Sequence, residues 1–426
     1  MWILELDDTE IRLCKDGEVV YKEPGIAWAE VKELKFGEAA LSVAKLFPAR
    51  VHTQYWNLMD QSHVEPKGFA VETQADLVYQ QLLHIKEQGN LDDKDEILIV
   101  VPSDRTEQQL RLLYGIVLKA GYNVVDFVDL GVAGGLACDG KGALAYVSVG
   151  MQRTVITHLN VSDRVVREKV SVTPQLGLLP LSNTWIRMVA EKFLASSRFD
   201  PRKFAETEQQ IFDQILAFVQ SSKNNTAIET EYRGFTRQVE ISKAEVIEFA
   251  QDRYASALSY LNPEEDLVLS NTTHTLPGLK DALTQNRRNH SVSTFRSMVD
   301  ELIRALGNKL DSGQCTLHTS LTKRTTSTAD VVQHDDDDTD APVHPTHILH
   351  QATAYPIGTE FTVNSGELGD SQLFTLEHRS QGTALKIATS APITVNGARV
   401  RADLFVQPGD RISVLDRNYE LIMVQG

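Results

Sequence analysis

A polar, acidic segment at about 311–345 sets the strongest limit on how this chain of 426 residues can fold. It contains TSLTKRTTSTAD and then HDDDDTD, and it has few large apolar side chains. Its aspartates repel one another, and it has little apolar surface to bury, so an extended, disordered linker is expected. The sequence therefore predicts two folding regions, 1–310 and 346–426, joined by this linker.

The composition argues against several classes of function. The formal net charge is −16, which disfavours binding to nucleic-acid phosphates and to anionic membranes. No apolar run reaches about 18 residues, so no membrane insertion is expected. Residues 1–13 lack the basic and apolar parts of a signal peptide. Cys14, Cys138 and Cys315 are far apart in sequence, which is typical of reduced thiols in a cytoplasmic protein.

Region 1–310 alternates strand and helix patterns. Strands are predicted at 2–6, 11–13, 18–21, 96–101, 123–128, 143–149, 154–159 and 266–270, and helices at 184–197, 203–220 and 242–261. The first three strands fit an antiparallel meander, and 143–149 with 154–159 fits a hairpin. This alternation predicts an α/β domain with helices packed on mixed sheets.

A further helix is predicted directly after the apolar run at 96–101. Ser103 and Asp104 are candidate caps for it, and Glu107 is placed to complete a capping box. Its apolar residues are spaced three and four apart, which predicts a buried face formed by Leu110, Leu113, Tyr114 and Val117.

Four stretches resemble, in order, the nucleotide-binding domain of the seventy-kilodalton heat-shock chaperones, within the actin-like superfamily. They are 36–48, 97–137, 240–261 and 266–283. The resemblance covers roughly 1–290. It implies a two-lobed actin-like (ribonuclease-H-like) domain that holds ATP and magnesium between its lobes. Two hairpin turns of such a domain clasp the phosphates, and they need glycines because backbone N–H groups must approach the phosphate oxygens closely.

The first of these turns departs from the family pattern. The family reads Asp-Leu-Gly-Thr-Thr, whereas this sequence has Glu5-Leu6-Asp7-Asp8-Thr9. Asp7 replaces the glycine, and Asp8 adds a second carboxylate that would repel a triphosphate. A divalent-ion site formed by Glu5, Asp7 and Asp8 is an alternative interpretation, and a solvated acidic turn is the preferred one.

The second turn departs from the family pattern, and so does the loop that contacts the adenosine of ATP in the family. The second turn keeps Gly150, but Ser148 stands where the family has a magnesium-positioning aspartate, and Arg153 is expected to be a solvated residue at the hairpin tip. The adenosine loop begins with Asn271 and Thr272, in place of the two glycines of the family. The resemblance therefore implies a degenerate nucleotide cleft with no catalytic residue and no cofactor.

Two other family positions are altered as well. The catalytic lysine of the family falls near Trp56 or Asn57, and Asp129 is the only acid near the family's Asn-Glu-Pro. The sequence shows no convincing Ser-His-Asp order, HExxH, P-loop or GxGxxG motif. The peptide-binding domain and helical lid that follow in the chaperones are missing, so the usual chaperone activity is not expected.

Region 346–426 has short apolar runs separated by turn residues, which predicts a small all-β sandwich. ITVNGARVRADLFVQPGDRISV at 393–414 resembles the end of a forkhead-associated domain. Such domains bind phosphothreonine through a Gly-Arg pair and a Ser-x-x-His segment. The candidate positions here are Gly358-Thr359 and 377–380, which lack that pattern, although Arg379 could contact a phosphate.

We therefore expect a non-catalytic adaptor or scaffold in a multiprotein assembly, with proteins of unknown identity bound by the actin-like domain and the β-sandwich. The pairing of the two resemblances suggests a bacterial cytoplasmic protein. One alternative is a divergent but active ATPase that uses ATP and magnesium. A second alternative is a phosphothreonine-peptide reader.

Overall fold

The computed structural model describes residues 1–138, 140–285, 287, 289–306, 315–323, 345–350, 353–357, 360–364, 372–379, 382–388, 392–396, 398–400, 403–407, 409–415 and 417–422. The chain divides into two compact units, Met1–Ser327 and Thr328–Gly426. The first unit is α/β with several sheets, and the described part of the second unit is all-β. Both classes agree with the prediction from sequence.

The elements of the first unit follow in chain order. Its strands are β1 Trp2–Glu5, β2 Ile11–Lys15, β3 Glu18–Glu23, β4 Ala27–Ala29, β5 Leu34–Phe36, β6 Val51–His52, β7 Glu96–Val101, β8 Asn123–Asp129, β9 Gly142–Val149, β10 Thr154–Val161, β11 Arg164–Thr173, β12 Asn225–Tyr232, β13 Phe235–Ser242, β14 Asp266–Ser270, β15 His290–Ser293, β16 Leu317–His318 and β17 Ser320–Thr322. Its helices are α1 Gly37–Leu41, α2 Tyr55–Leu58, α3 Gln74–Gln88, α4 Glu107–Lys119, α5 Leu130–Leu136, α6 Leu178–Ser197, α7 Ala205–Gln220, α8 Lys243–Leu258, α9 Asn271–Thr275, α10 Leu279–Thr284 and α11 Phe295–Leu306, with a 3-10 helix at Pro201–Lys203.

Two six-stranded sheets of this unit share the order of five strands, and the sixth strand, β16 or β17, lies at the parallel end of the first sheet and at the antiparallel end of the second. The first sheet runs β16-β8-β7-β1-β2-β3, and the second runs β15-β14-β9-β10-β11-β17. In each sheet three antiparallel strands, β1 to β3 or β9 to β11, are continued by parallel strands, β7 and β8 or β14 and β15. Parallel pairs need crossover connections, which the helices of the alternating sequence supply. The same arrangement therefore occurs twice within the unit.

Hydrophobic clusters lie on the outer side of each sheet and between the two sheets. Helix α5, in the middle cluster, packs very closely on the second sheet. A Cβ added at Gly131 would lie 2.5 Å from Thr157, and one added at Gly134 would lie 2.1 Å from Tyr146. The small residues of α5 therefore set the spacing between the helix and the sheet.

Helix α4 begins later than the sequence predicted. Thr106 caps it by accepting a hydrogen bond from the backbone N–H of Gln109, and the Gln109 side chain completes the capping box. Ser103 and Asp104, the predicted caps, bond elsewhere. Tyr114 is 38% exposed, and Ile116 is buried on this face instead. Which residue caps α4 depends on the conformation of the turn after β7, and the spacing of residues in the sequence does not predict that conformation.

Residues 315–323 differ from the predicted linker. They contain β16, which pairs with β8, and β17, which pairs with β11. Strands form there because the edges of both sheets offer unpaired N–H and C=O groups and because Leu321 is buried. The rest of 311–345, apart from Pro345, lies outside the described residues.

The second unit contains two antiparallel sheets that share one hydrophobic cluster. Its strands are β18 His347–His350, β19 Thr353–Pro356, β20 Glu360–Asn364, β21 Gln372–Arg379, β22 Gly382–Ile387, β23 Ile393–Val395, β24 Ala398–Val400, β25 Leu404–Val406, β26 Arg411–Val414 and β27 Arg417–Ile422. Sheet orders are β19-β18-β27-β26-β23-β24 and β20-β21-β22-β25. Within the described part of the whole chain, every helix is too short or too polar to cross a membrane.

Candidate functional site

A narrow cleft lies between the two six-stranded sheets, where β1 and β9 end. Five of the residues singled out from the sequence line it, namely Asp7, Asp8, Ser148, Gly150 and Arg153. Glu5, Asn271 and Thr272 line an adjoining recess that also includes Asp7. The structure therefore brings all eight residues to one place. The space left in the cleft is about 30 Å³, which is room for one or two water molecules.

Asp7 joins the turn after β1 to the end of β9. Its carboxylate accepts hydrogen bonds from the backbone N–H and the hydroxyl of Thr9, at 3.0 and 2.7 Å. It also accepts one from the Ser148 hydroxyl, at 3.0 Å. With three donors, this buried carboxylate is satisfied by protein groups alone.

Asp8 makes the second contact between the two turns. One of its oxygens accepts a hydrogen bond from the backbone N–H of Met151 at 2.7 Å, and the other accepts one from the Asn57 amide at 3.0 Å. Burial, followed by repulsion from Asp7, raises the pKa of Asp8 to about 6. The charged form is thus held against a desolvation cost by two hydrogen bonds.

Glu5 lies deeper than the two aspartates and bonds to a neighbouring strand. Its carboxylate accepts a hydrogen bond from the Arg12 guanidinium at 2.6 Å. Burial raises the pKa of Glu5 to about 7, although Arg12 acts in the opposite direction. The preferred interpretation of a solvated acidic turn is therefore wrong, since Glu5, Asp7 and Asp8 are each at most 7% exposed and have protein donors.

The second turn carries the glycine that this fold requires. A Cβ at Gly150 would lie 2.9 Å from both the Arg153 carbonyl oxygen and an oxygen of Asp8. The Arg153 side chain, expected to be solvated, instead forms an ion pair with Asp104 at 2.5 Å. It turns inward because Asp104, which does not cap α4, presents a buried carboxylate to the cleft.

The loop after β14 is tied to β9 by hydroxyl groups. Ser270 caps α9 by accepting a hydrogen bond from the backbone N–H of Thr273. The Thr273 hydroxyl accepts one from the backbone N–H of Val149 at 3.0 Å. The hydroxyl of Thr272 lies 3.4 Å from that of Thr9. This third loop thus contacts the other two turns directly.

The other residues compared in the sequence analysis also have structural partners. Asn57 donates to Asp8, and Trp56 is buried with its indole N–H donating to Gln81 at 2.6 Å. Asp129 accepts hydrogen bonds from Ser103 and Arg167, each at 2.7 Å.

Contacts that sequence reasoning missed join the segment at 41–45 to helices α6 and α7. The Lys45 side chain donates to Asn183 at 2.7 Å, and its backbone N–H donates to the Gln209 side chain at 2.6 Å. Gln209 also donates to the carbonyl oxygen of Leu41 at 3.2 Å. Sequence patterns do not predict these contacts, because the partners are more than a hundred residues apart.

A buried chain of three polar side chains was also missed. The Ser171 hydroxyl lies 3.1 Å from His158 Nε2, and His158 Nδ1 lies 2.6 Å from Glu265. This connectivity is that of a Ser-His-acid triad. None of the three residues lines the cleft, and all are buried. Their contacts join β10, β11 and the loop before β14.

Two alternatives from the sequence concern other ligands. In the described residues, no group of three or more His, Cys, Asp or Glu side chains is arranged to hold a metal ion. The phosphothreonine positions Gly358, Thr359 and Ser380 lie outside the described residues, as does the side chain of Arg379.

Neither a scan of the sequence against protein-family models nor a search of curated proteins gives a match. The geometry of the cleft is therefore the basis for assigning a function.

Proposed function

We propose that the chain is a non-catalytic adaptor or scaffold that works within a multiprotein assembly. In this proposal the first unit is a two-lobed, actin-like (ribonuclease-H-like) domain whose ATP site has degenerated. The second unit is a forkhead-associated-like β-sandwich. Both bind partner proteins, and neither performs a reaction.

The repeated strand order supports the actin-like part of the proposal. Each lobe of such a domain is expected to contain a meander followed by parallel strands, and both six-stranded sheets have that order. The three loops that resemble nucleotide-binding loops also meet at the cleft and its adjoining recess. Their convergence is what the actin-like architecture would predict, and it supports the proposal.

The hydrogen bond from the Met151 N–H to Asp8 carries the proposal. In the family that the sequence resembles, backbone N–H groups of the second turn face phosphate oxygens. Here a carboxylate oxygen of Asp8 occupies such a donor, with Arg105 and Arg153 close enough to lower its pKa. An internal anion thus takes the interaction that a phosphate would need.

The size of the cleft leads to the same conclusion. A triphosphate bound between the two turns, where the space is about 30 Å³, would have to break the hydrogen bonds that join Asp7 to Ser148 and Asp8 to Met151. The lost contacts and the repulsion between carboxylate and phosphate both oppose that step. A domain closed in this way presents a constant surface, which suits a scaffold.

Calorimetric titration of the full chain with ATP and ADP, with and without magnesium, tests the proposal. We expect no binding at high micromolar protein concentration. The matched variant Asp7→Gly/Asp8→Ala removes both carboxylates and should gain weak affinity if they exclude nucleotide. Micromolar binding by the wild-type chain would contradict the proposal.

The divergent ATPase is the second candidate, and the two arginines of the cleft favour it. Arg105 and Arg153 both line the space beside Asp8 and could contact phosphate. This candidate predicts magnesium-dependent affinity and ATP turnover by the wild-type chain, with a loss of affinity in Arg153→Ala. Turnover that is no faster in the wild type than in this variant would exclude it.

A further inference from the structure

Residues 315–323, which we call the strap, contact an outer edge of each six-stranded sheet. Strand β16 pairs with β8 in the first sheet, and β17 pairs with β11 in the second. Thr319 alone separates the two strands. One short segment therefore belongs to both sheets at once.

Backbone hydrogen bonds hold both ends of the strap. The N–H of Phe127, in β8, donates to the carbonyl oxygen of Thr316 at 2.9 Å. The N–H of Arg167, in β11, donates to the carbonyl oxygen of Thr319 at 3.0 Å. Since these carbonyls are three residues apart, the two sheet edges are tied across a very short stretch of chain.

On the first sheet, Asp126 anchors the strap with its side chain. Its carboxylate is buried, and it accepts hydrogen bonds from the N–H and hydroxyl of Thr316 at 2.7 and 3.1 Å. It also contacts His318 Nε2 at 2.8 Å. All of these partners belong to the strap, so Asp126 serves this attachment.

On the second sheet, apolar burial and polar contacts anchor the strap together. Leu321 is 6% exposed and belongs to the hydrophobic cluster between the sheets. The N–H of Lys323 donates to the Asp163 carbonyl oxygen at 2.9 Å, and its ammonium group donates to the carbonyl oxygen of Cys138. The strap is therefore fixed at both ends.

We propose that the strap fixes the angle between the two sheets and so keeps the cleft closed. A residue spans at most about 3.6 Å, so the single residue between β16 and β17 cannot lengthen to follow a hinge motion. An opening motion that moved the edges of β8 and β11 apart would have to break strand pairing in one sheet. This device does not depend on whether the cleft ever held a nucleotide or on the scaffold function.

Amide hydrogen exchange of the full chain tests this inference with the variant Asp126→Ala. Asp126 lies in the first sheet, whereas the amides of Arg167 and Met151 belong to the second sheet and the cleft. We expect exchange at Phe127, Arg167 and Met151 to rise together, by about tenfold or more. Increased exchange confined to Phe127 would overturn the proposal, because it would mean that the strap is attached locally without coupling the sheets.

Two further variants distinguish loss of the strap contacts from a general destabilisation of the fold. His318 is a partly exposed partner of Asp126, so His318→Ala removes one contact of the strap with little disturbance of the core. It should give a smaller increase in the exchange rate at the same three amides. Thr322→Ala changes an exposed neighbour of Leu321 and should leave all three unchanged. Equal exchange in His318→Ala and the wild type would count against the strap. Nucleotide titration of the wild-type chain is a separate measurement, so the two proposals can fail independently.

Discussion

The two six-stranded sheets have the same order in five of their strands, yet the turns that follow the corresponding strands β1 and β9 differ in chemistry. The turn after β1 presents acceptors, the carboxylates of Asp7 and Asp8. The turn after β9, with the end of that strand, presents donors, the hydroxyl of Ser148 and the N–H of Met151. A repeated architecture has thus acquired complementary turns that bind each other.

The difference shows that polar groups of the chain itself can close a cleft, although the carboxylates that do so are buried. Burial raises the pKa of Asp8 to about 6 and that of Glu5 to about 7, so deprotonating either group costs more in the folded chain than in water. Asp7 has more donors than Asp8, three hydrogen bonds against two. We therefore expect Asp7 to contribute more to stability than Asp8.

The largest effect is expected for Asp7→Ala. This change leaves the N–H of Thr9 and the hydroxyl of Ser148 without their buried acceptor, so the free energy of unfolding should fall by about 3 kcal/mol. Ser148→Ala removes one donor only and should cost about 1 kcal/mol. All four tryptophans lie in the first unit, so denaturant unfolding followed by tryptophan fluorescence reports this unit. Equal losses in the two variants would refute the asymmetry between the turns.

A smaller effect is expected for Gly150→Ala, which tests the contact from the other side. The new Cβ would press on Asp8 and on the Arg153 carbonyl oxygen, each 2.9 Å away. Relieving this crowding should lower the free energy of unfolding by about 2 kcal/mol. The control is Gly115→Ala in α4, where nothing lies within 4 Å of the added Cβ. It should stabilise the chain by about 0.5–1 kcal/mol. A neutral Gly150→Ala variant would mean that the turns can move apart freely.

The sequence predicted much of this fold because its signals are local. The apolar run of β7 and the capping box of Ser242 with Glu245 depend on neighbours within a few residues. The site residues were found through their resemblance to three known loops. Their burial was not predicted, because an acidic turn is expected to be solvated. The donors that allow its burial, Ser148 and Met151, belong to the other sheet.

The strap shows why other features were missed. TLHTSLTK is too short and too polar to be recognised as two strands, and its pairing depends on sheet edges that other parts of the chain provide. The anchor Asp126 lies almost two hundred residues away from His318. Contacts of that kind follow from the completed fold and not from spacing in the sequence.

The smallest effect concerns how stability depends on pH. The pKa of Asp8 is raised from 3.8 to about 6, so the folded state binds a proton more tightly than the unfolded state does. The resulting stability is present below about pH 4 and is lost as the pH rises through about 6. Asp8→Asn keeps an oxygen for the Met151 N–H without the charge. From pH 5 to pH 8, the free energy of unfolding of this variant should fall by about 1 kcal/mol less than that of the wild type. Tryptophan-monitored unfolding at both pH values checks this, and parallel losses would show that Asp8 does not titrate in this range.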